Sequence, residues 1–401
     1  MIQLKKTCRK TSFSLIVFIL FFISLFIFMP VTVSVKADAA NSTQDEALEE
    51  SIRDQLDKLD LEELQAYLDS LGNQSGKGVK DALLEYISGG NFDYKSFGKE
   101  MVLVLFSQVA EIMPYFACIM AISLLSGLLS SMQDGLAHGS SIKTVHLIAY
   151  AAALIPLIAV LAECISETVG GITSMQKQMS AVYPIMMTLL AACGNTVTVA
   201  VCRPAVGFFA TAISTILCEI VMPLTLVIMS FSFIANFTKT LKIEKFTAFF
   251  KSVNKWIIGV SISIFGLFFT LQGITAAAYD GVVRRAAKYA IGNGIPIVGG
   301  FLSGGFDLAV AGGVLIKNAL GSMGIFLMIS VLLEPLILLI SVGVMLRLTA
   351  AIAQPLGDGE ISGVLAQTAD NLNYCVACLL FVAFLYFLSI LIMICCTETI
   401  F

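Results

Sequence analysis

The sequence predicts an all-α, polytopic helical membrane protein of six to eight transmembrane helices, with a small extracytoplasmic helical module near its N-terminus. Three observations predict it. Of the 401 residues, 58% are hydrophobic and only 13% charged, whereas about 25% are charged in an ordinary soluble domain, whose charge mostly faces water. The charge is also segregated: residues 38–100 hold 15 acids and 6 bases, and residues 101–401 hold 13 of each. From Met101 onward, apolar runs long enough to cross a bilayer follow one another.

Residues 1–39 read as a secretory leader. Lys5, Lys6, Arg9 and Lys10 make a basic start, Phe13 to Met29 an apolar stretch, and small residues then offer cleavage after Ala37 or Ala39. The apolar stretch is also long enough to approach a span, so an uncleaved anchor is the competing reading. Either way the positive-inside rule puts residue 40 outside the cytoplasm.

Residues 40–100 form an acidic helical segment. Leu48, Ile52, Leu56 and Leu59 recur at helical spacing. Asp60 can cap a second helix, with Glu63 in capping-box position and Leu61, Leu64, Leu68 and Leu71 on one face, ending at Gly72-Asn73. A third runs from about Val79 to Ile87 and ends at Gly89-Gly90. Helices this short need partners. Their stripes either pack on one another or dock on another exported protein.

In the 101–401 region, six runs read as spans: about 101–131, 145–168, 205–235, 256–279, 320–347 and 372–396. Two stretches are equivocal. Residues 179–201 carry Tyr183-Pro184 and Gly194-Asn195, and 295–316 are studded with glycine. Each can cross, or enter and leave on one side if protein shields its backbone. If 179–201 does not cross, Lys239, Lys242, Lys245, Lys251 and Lys255 lie inside, and Arg284, Arg285 and Lys288 outside. If it does cross, giving eight crossings, Lys143, Arg203, Arg284, Arg285, Lys288 and Arg347 lie inside and those five lysines outside. The positive-inside rule counts nearly equal sums for the two arrangements. The density of the basic cluster 236–255 favours the one that keeps it inside. That segment also reads as an amphipathic interfacial helix, with Phe246, Phe249, Phe250 and Trp256 among the lysines.

Ionisable residues inside spans are costly and face protein or water. Glu219 and Glu334 lie near the middle of their runs, beside Pro223 and Pro335, and Glu111 lies near Pro114. Glu219 and Glu334 can form a polar seam for ions or protons, or can pair with Arg203, Lys317 or Arg347 as packing glue. Ten cysteines make no disulfide framework, and Cys375-x-x-Cys378 lacks the second pair or histidine of a metal site. Neither a phosphate-binding glycine loop nor a group of acid, base and nucleophile is visible. No cofactor, metal, enzymatic activity or nucleic-acid partner is expected.

The segment 286–321, AAKYAIGNGIPIVGGFLSGGFDLAVAGGVLIKNALG, stands apart. Gly292, Asn293, Gly294, Pro296, Gly299, Gly300, Gly304 and Gly305, followed by Lys317 and Asn318, form a candidate packing or pore motif. Paired glycines let helices approach closely or let backbone bend. GNGIPIVGGFLS, the downstream LIKNALG and the exported LDLEELQAYLDSL together closely resemble the stage III sporulation protein AE family of endospore-forming bacteria. The resemblance covers most of the chain. It implies a part in the channel-like or secretion-like apparatus that joins mother cell and forespore after engulfment, as channel component or scaffold. It further implies a place in the mother-cell-derived outer forespore membrane, beside other stage III sporulation proteins of the same operon. One of these looks like a secretion-type ATPase and another like a ring-forming component, with stage II sporulation protein Q as an indirect partner. Membrane lipid is an expected partner, and homo-oligomerisation is left open. The family offers no catalytic residues to carry over. The competing reading is a secondary transporter, in which two interrupted stretches frame a midplane site and Glu219 and Glu334 act as coupling residues.

Overall fold

The acidic segment folds into three short helices: α1 (Ser42–Asp57), α2 (Glu62–Ser70) and α3 (Val79–Ile87). In this computed structural model residues 42–70, 78–87, 94–133, 139–237, 243–268, 299–356 and 359–395 are described. Two units divide the chain, Met1–Ala47 and Leu48–Phe401. The leader lies outside the described residues, and the bundle with all its contacts belongs to the second unit. The predicted stripes are the module's core, since Ile52, Leu56, Leu64, Leu68, Val79 and Leu83 are all buried. Asp60 caps α2 as the sequence suggests, its Oδ1 accepting the Glu62 N–H at 3.2 Å. The first N–H of α3 is taken by Gln65 Oε1 at 2.8 Å, which ties α3 to α2.

Long helices follow: α4 (Tyr94–Gln133), α5 (Gly139–Ala192), α6 (Thr196–Thr215), α7 (Met222–Phe237), α8 (Glu244–Phe268), α9 (Gly299–Ala353) and α10 (Gly359–Cys395). A π-helical segment, Ile216–Val221, joins α6 to α7, with the Met222 N–H reaching back five residues to the Leu217 carbonyl. Pro223 explains it. Proline has no N–H to give its i−4 carbonyl, and one wide turn absorbs the mismatch. Six helical stretches among the described residues are long and apolar enough to cross a membrane, so the chain is an all-α polytopic membrane protein.

The two equivocal stretches resolve in the same way. Residues 179–192 continue α5 without a break from 145–168, passing through Pro156 and Pro184. The chain turns only at Gly194, whose φ of 88° lies where a side chain is strained. Likewise 299–316 continues directly into 320–347 as α9; residues 295–298 lie outside the described set. Neither described stretch makes a crossing of its own. The basic segment is also not a separate interfacial helix, because 244–255 is the first half of α8. The sixth span starts at Gly359, well before residue 372.

α10 is the mast of the bundle, with buried residues from Ile361 to Met393. Helices α5, α7 and α9 pack along it, and α4 lies against α5 and α9. Level marks come from close contacts. Gly171 of α5 meets Pro335 of α9 and Leu379 of α10 at mid-height. On one side of that level Gln178 donates to the Gly324 carbonyl at 2.9 Å, and Cys193 lies 3.8 Å from the Val310 carbonyl. On the other, Ser362 donates to the Ala350 carbonyl at 2.9 Å. The module rests on the first of these sides, and the opposite one is the far side of the bundle.

Exposed large apolar side chains mark the lipid-facing layer. On α5 they are Ile148, Ile155 and Ile158, and on α9 Ile340, Val344, Leu348 and Ile352. Beyond them α5 exposes Ser166 and Glu167 and then Lys177, Ser180, Pro184 and Thr188, while α9 exposes Glu334. From Ile148 to Glu167, or from Glu334 to Ile352, is about 27–29 Å at 1.5 Å per residue, close to the hydrocarbon thickness of about 30 Å. The α6–α8 flank carries its exposed apolar side chains further, to Phe208 and Leu267. At 54 and 55 residues, α5 and α9 are each about 80 Å long. More than one bilayer's depth of each therefore continues on the module side.

Two adjacent glycines test the packing at mid-height. A Cβ on Gly171 would lie 2.9 Å from Pro335 Cγ, whereas one on Gly170 meets nothing within 4 Å. Gly171→Ala is expected to lower thermal stability in detergent by about 1–3 kcal/mol through overpacking. Gly170→Ala is expected to be neutral or to stabilise by up to about 1 kcal/mol through helix propensity.

Candidate functional site

The module's seat is built from α5 and α9. α2 lies on α5 and α3 on α9. Tyr67 of α2 donates to the Ser174 carbonyl of α5 at 3.3 Å. Ser51, Ile52 and Gln55 of α1 lie over Gly312, where an added Cβ would sit 3.2 Å from Gln55 Nε2 and 3.4 Å from Ser51 Oγ. At Gly313 a Cβ would meet Cys193 Sγ at 2.9 Å and Gln55 Oε1 at 3.2 Å. The Gly312-Gly313 pair thus leaves the groove in which α1 lies. The module is a cap on the chain's own projecting bundle, and its charged residues Glu49, Glu50, Arg53, Asp54, Glu62 and Glu63 stay exposed. Burial pushes the Tyr67 phenol up to about 12.

Lys317 is the most deeply buried cation among the described residues, at 0% exposure. Its Nζ donates to the Ile394 carbonyl at 2.8 Å. That carbonyl belongs to the last turn of α10, where helix carbonyls lack intrahelical donors and the dipole favours a cation. Lys317 therefore fastens the end of the mast to α9, through a charge-assisted bond of a kind that contributes about 1.5–3 kcal/mol. Asn318 beside it is half-buried. Gly299, Gly300, Gly304 and Gly305 lie in the opening turns of α9. Gly292, Asn293, Gly294 and Pro296 fall outside the described residues.

The two carboxylates singled out in the sequence do not pair with Lys317 or Arg347; the Arg203 side chain is not among those described. Glu334 is exposed where the lipid-facing layer ends, electrostatically coupled to Glu167. Glu219 is exposed in the π-helical segment, next to Cys218, which lies against Thr173. Arg347 instead pairs with Asp370 at 3.3 Å, and Lys317 binds a carbonyl. Cys375 and Cys378 are buried free thiols, and no group of three metal-ligating side chains occurs among the described residues.

Sequence reasoning passed over a polar row on the far-side half of α10. Asn371 Nδ2 donates to Ser232 Oγ of α7 at 3.2 Å, and Gln367 Nε2 to Asn236 Oδ1 at 3.3 Å. A Cβ on Gly363 would stand 2.7 Å from that same Asn236 oxygen. Asn254 of α8 donates to Thr225 Oγ1 of α7 at 3.0 Å. Such bonds hold membrane helices together where apolar burial gives no preference over lipid. The missed signal was the run QTADNLNY at one-face spacing directly before an apolar run, which reads as a loop when the span is begun at residue 372.

Two expected outcomes test the seat. In the Ser51→Cys/Gly312→Cys double variant, oxidation should close a disulfide, since a Cβ at 312 would stand 3.4 Å from the Ser51 Oγ position that the new sulfur takes. Loss of labelling at both thiols reports it. Because the folded phenol of Tyr67 titrates above its ordinary 10.0, its contribution is complete below pH 10 and fades as pH rises towards 12. Proteolysis of the module should accelerate over that window, and Tyr67→Phe should lessen the acceleration.

Comparison with known proteins agrees with the resemblance. The family described as Stage III sporulation protein AE matches residues 79–397. A relative in Bacillus subtilis (strain 168), Stage III sporulation protein AE, is 26% identical over 316 residues, covering 79% of each chain. No solved structure matches. The matched region runs from the first residue of α3 to just past the end of the mast, so the chain belongs to the stage III sporulation protein AE family.

Proposed function

We propose that this protein is a channel-forming or channel-scaffolding subunit of the apparatus that joins mother cell and forespore after engulfment. Family membership across residues 79–397 carries this reading and makes its role one in sporulation. The two-layer build supports the finer part. A bundle that continues past the lipid layer and bears a charged cap is suited to meet other proteins between two membranes, whereas a transporter needs no such extension. The proposed site is the mother-cell-derived outer forespore membrane, with the module in the intermembrane space. Its proposed partners are the other stage III sporulation proteins of the operon, among them the secretion-type ATPase and the ring-forming component, and indirectly stage II sporulation protein Q.

Charge supports that orientation. With the module outside, the far-side ends of α5 and α8 lie in the cytoplasm, and they carry Lys143 and Lys245. Lys239, Lys242, Arg284, Arg285 and Lys288 are not among the described residues. The secondary-transporter reading draws on one observation, the π-helical interruption beside Glu219, because such bulges gather at functional sites. Glu334, exposed beside Glu167, gives it no midplane partner.

In a sporulating host that lacks its own copy, forespore development should stop after engulfment, and expression of this chain should restore it. A strain that completes development without either copy would overturn the proposal. Glu219→Gln and Glu334→Gln should each still restore development; failure of both with normal protein levels would favour the transporter.

A further inference from the structure

The far-side half of α10 presents one polar face that helices do not fully cover. Gly363, Gln367, Asp370, Asn373, Tyr374 and Ala377 are half-buried and Ala366 is exposed. At 100° per residue these positions share one face of the helix. Arg347 of α9 and Asn236 of α7 border it on either side. The Arg347 and Asp370 side chains are 48% and 44% exposed. They lie at the depth where neighbouring α9 positions expose Val344, Leu348 and Ile340. The same face of α10 turns apolar past Ala377, with Phe381, Phe384 and Leu388 next in register.

Lipid is a poor neighbour for a half-exposed arginine, carboxylate and carboxamides, which within membranes face protein interiors or water-filled cavities. The row begins level with the last turns of α7 and α9, because Gly363 meets Asn236 and Ser362 meets the Ala350 carbonyl. From Gly363 to Ala377 it extends about 21 Å, and there it meets apolar side chains. We infer that the groove between α7 and α9 along α10 is a water-filled half-channel, open on the far side and closed near mid-bundle by the apolar continuation of the same face. Between Gly363 and Ala377 its lining is carboxamides and one Arg347–Asp370 ion pair, with Glu360 one turn before the open end. It therefore admits water and small hydrophilic solutes. The inference rests on side-chain chemistry within the lipid-facing layer and is independent of the sporulation role, so the two can fail separately.

Cysteine accessibility tests it in the full-length protein in native membrane vesicles, with a membrane-impermeant cationic methanethiosulfonate applied from the far side. Ala366→Cys and Asn373→Cys report the groove, Ile340→Cys and Val344→Cys the lipid-facing surface, and the parent chain the background from its own cysteines. The groove positions should react roughly tenfold or more faster than the lipid-facing ones, as exposure governs thiol reactivity. Ala366 is exposed, so that variant keeps the test sound should Asn373→Cys fail to fold. Groove positions that react no faster than Ile340→Cys and Val344→Cys would overturn the half-channel. Unreactive groove positions that instead form disulfide-linked dimers would also overturn it, and would assign the face to contact with a second copy.

Discussion

A rod of about 80 Å cannot be hidden in a hydrocarbon layer of about 30 Å, and this protein has two such rods. Most features of the fold follow from how α5 and α9 manage the excess. Within the lipid layer their outward faces can be apolar, and they are. Beyond it the same helices must turn those faces to protein or replace them with polar residues. α5 does both: Lys177, Ser180 and Thr188 face outward, while Met175, Met179, Val182 and Met186 are buried. α9 exposes no large apolar residue between Val310 and Leu339, since α10, α5 and the module cover it.

That demand explains where the glycines are useful. Gly171 lets Pro335 and Leu379 close against α5 at mid-height, and Gly312-Gly313 lets α1 and Cys193 settle on α9. Lys317 completes the arrangement by holding the end of α10, the helix with buried residues along nearly its whole length. The module is then part of the bundle's own packing. The three short helices, too short to be stable alone, gain their burial from α5 and α9.

Much of this was legible in the sequence. Periodicity located α3 residue for residue, and Asp60 was recognisable as a cap because capping depends only on local spacing. Six spans were readable from length and hydropathy. What could not be read was continuity. Pro184 and the glycines of 299–313 look like breaks, yet a helix with one face held by its neighbours tolerates them, because tertiary contacts outweigh local propensity. A hydropathy pattern likewise does not say that a run of 45 apolar residues projects through the membrane instead of folding back. The polar row of α10 was missed for a related reason: Gln367, Asp370 and Asn371 look like loop residues until Ser232 and Asn236 are known to face them. Glu334 was conspicuous because it sits mid-run, but its run is longer than the bilayer, and there mid-run is the edge of the lipid-facing layer; Glu219 lies among exposed apolar side chains, with Ile220 beside it.

The continuity of α5 is the claim on which the two-layer description stands, and distance measurement tests it most directly. Spin labels at Ile148 and Thr188, both exposed, are separated by 40 residues. Electron–electron double resonance in nanodiscs should give about 60 Å between them if α5 is a single helix. A distance within a bilayer's depth, below about 35 Å, would mean that 179–192 folds back as a separate crossing or re-entrant segment, and would contradict the account.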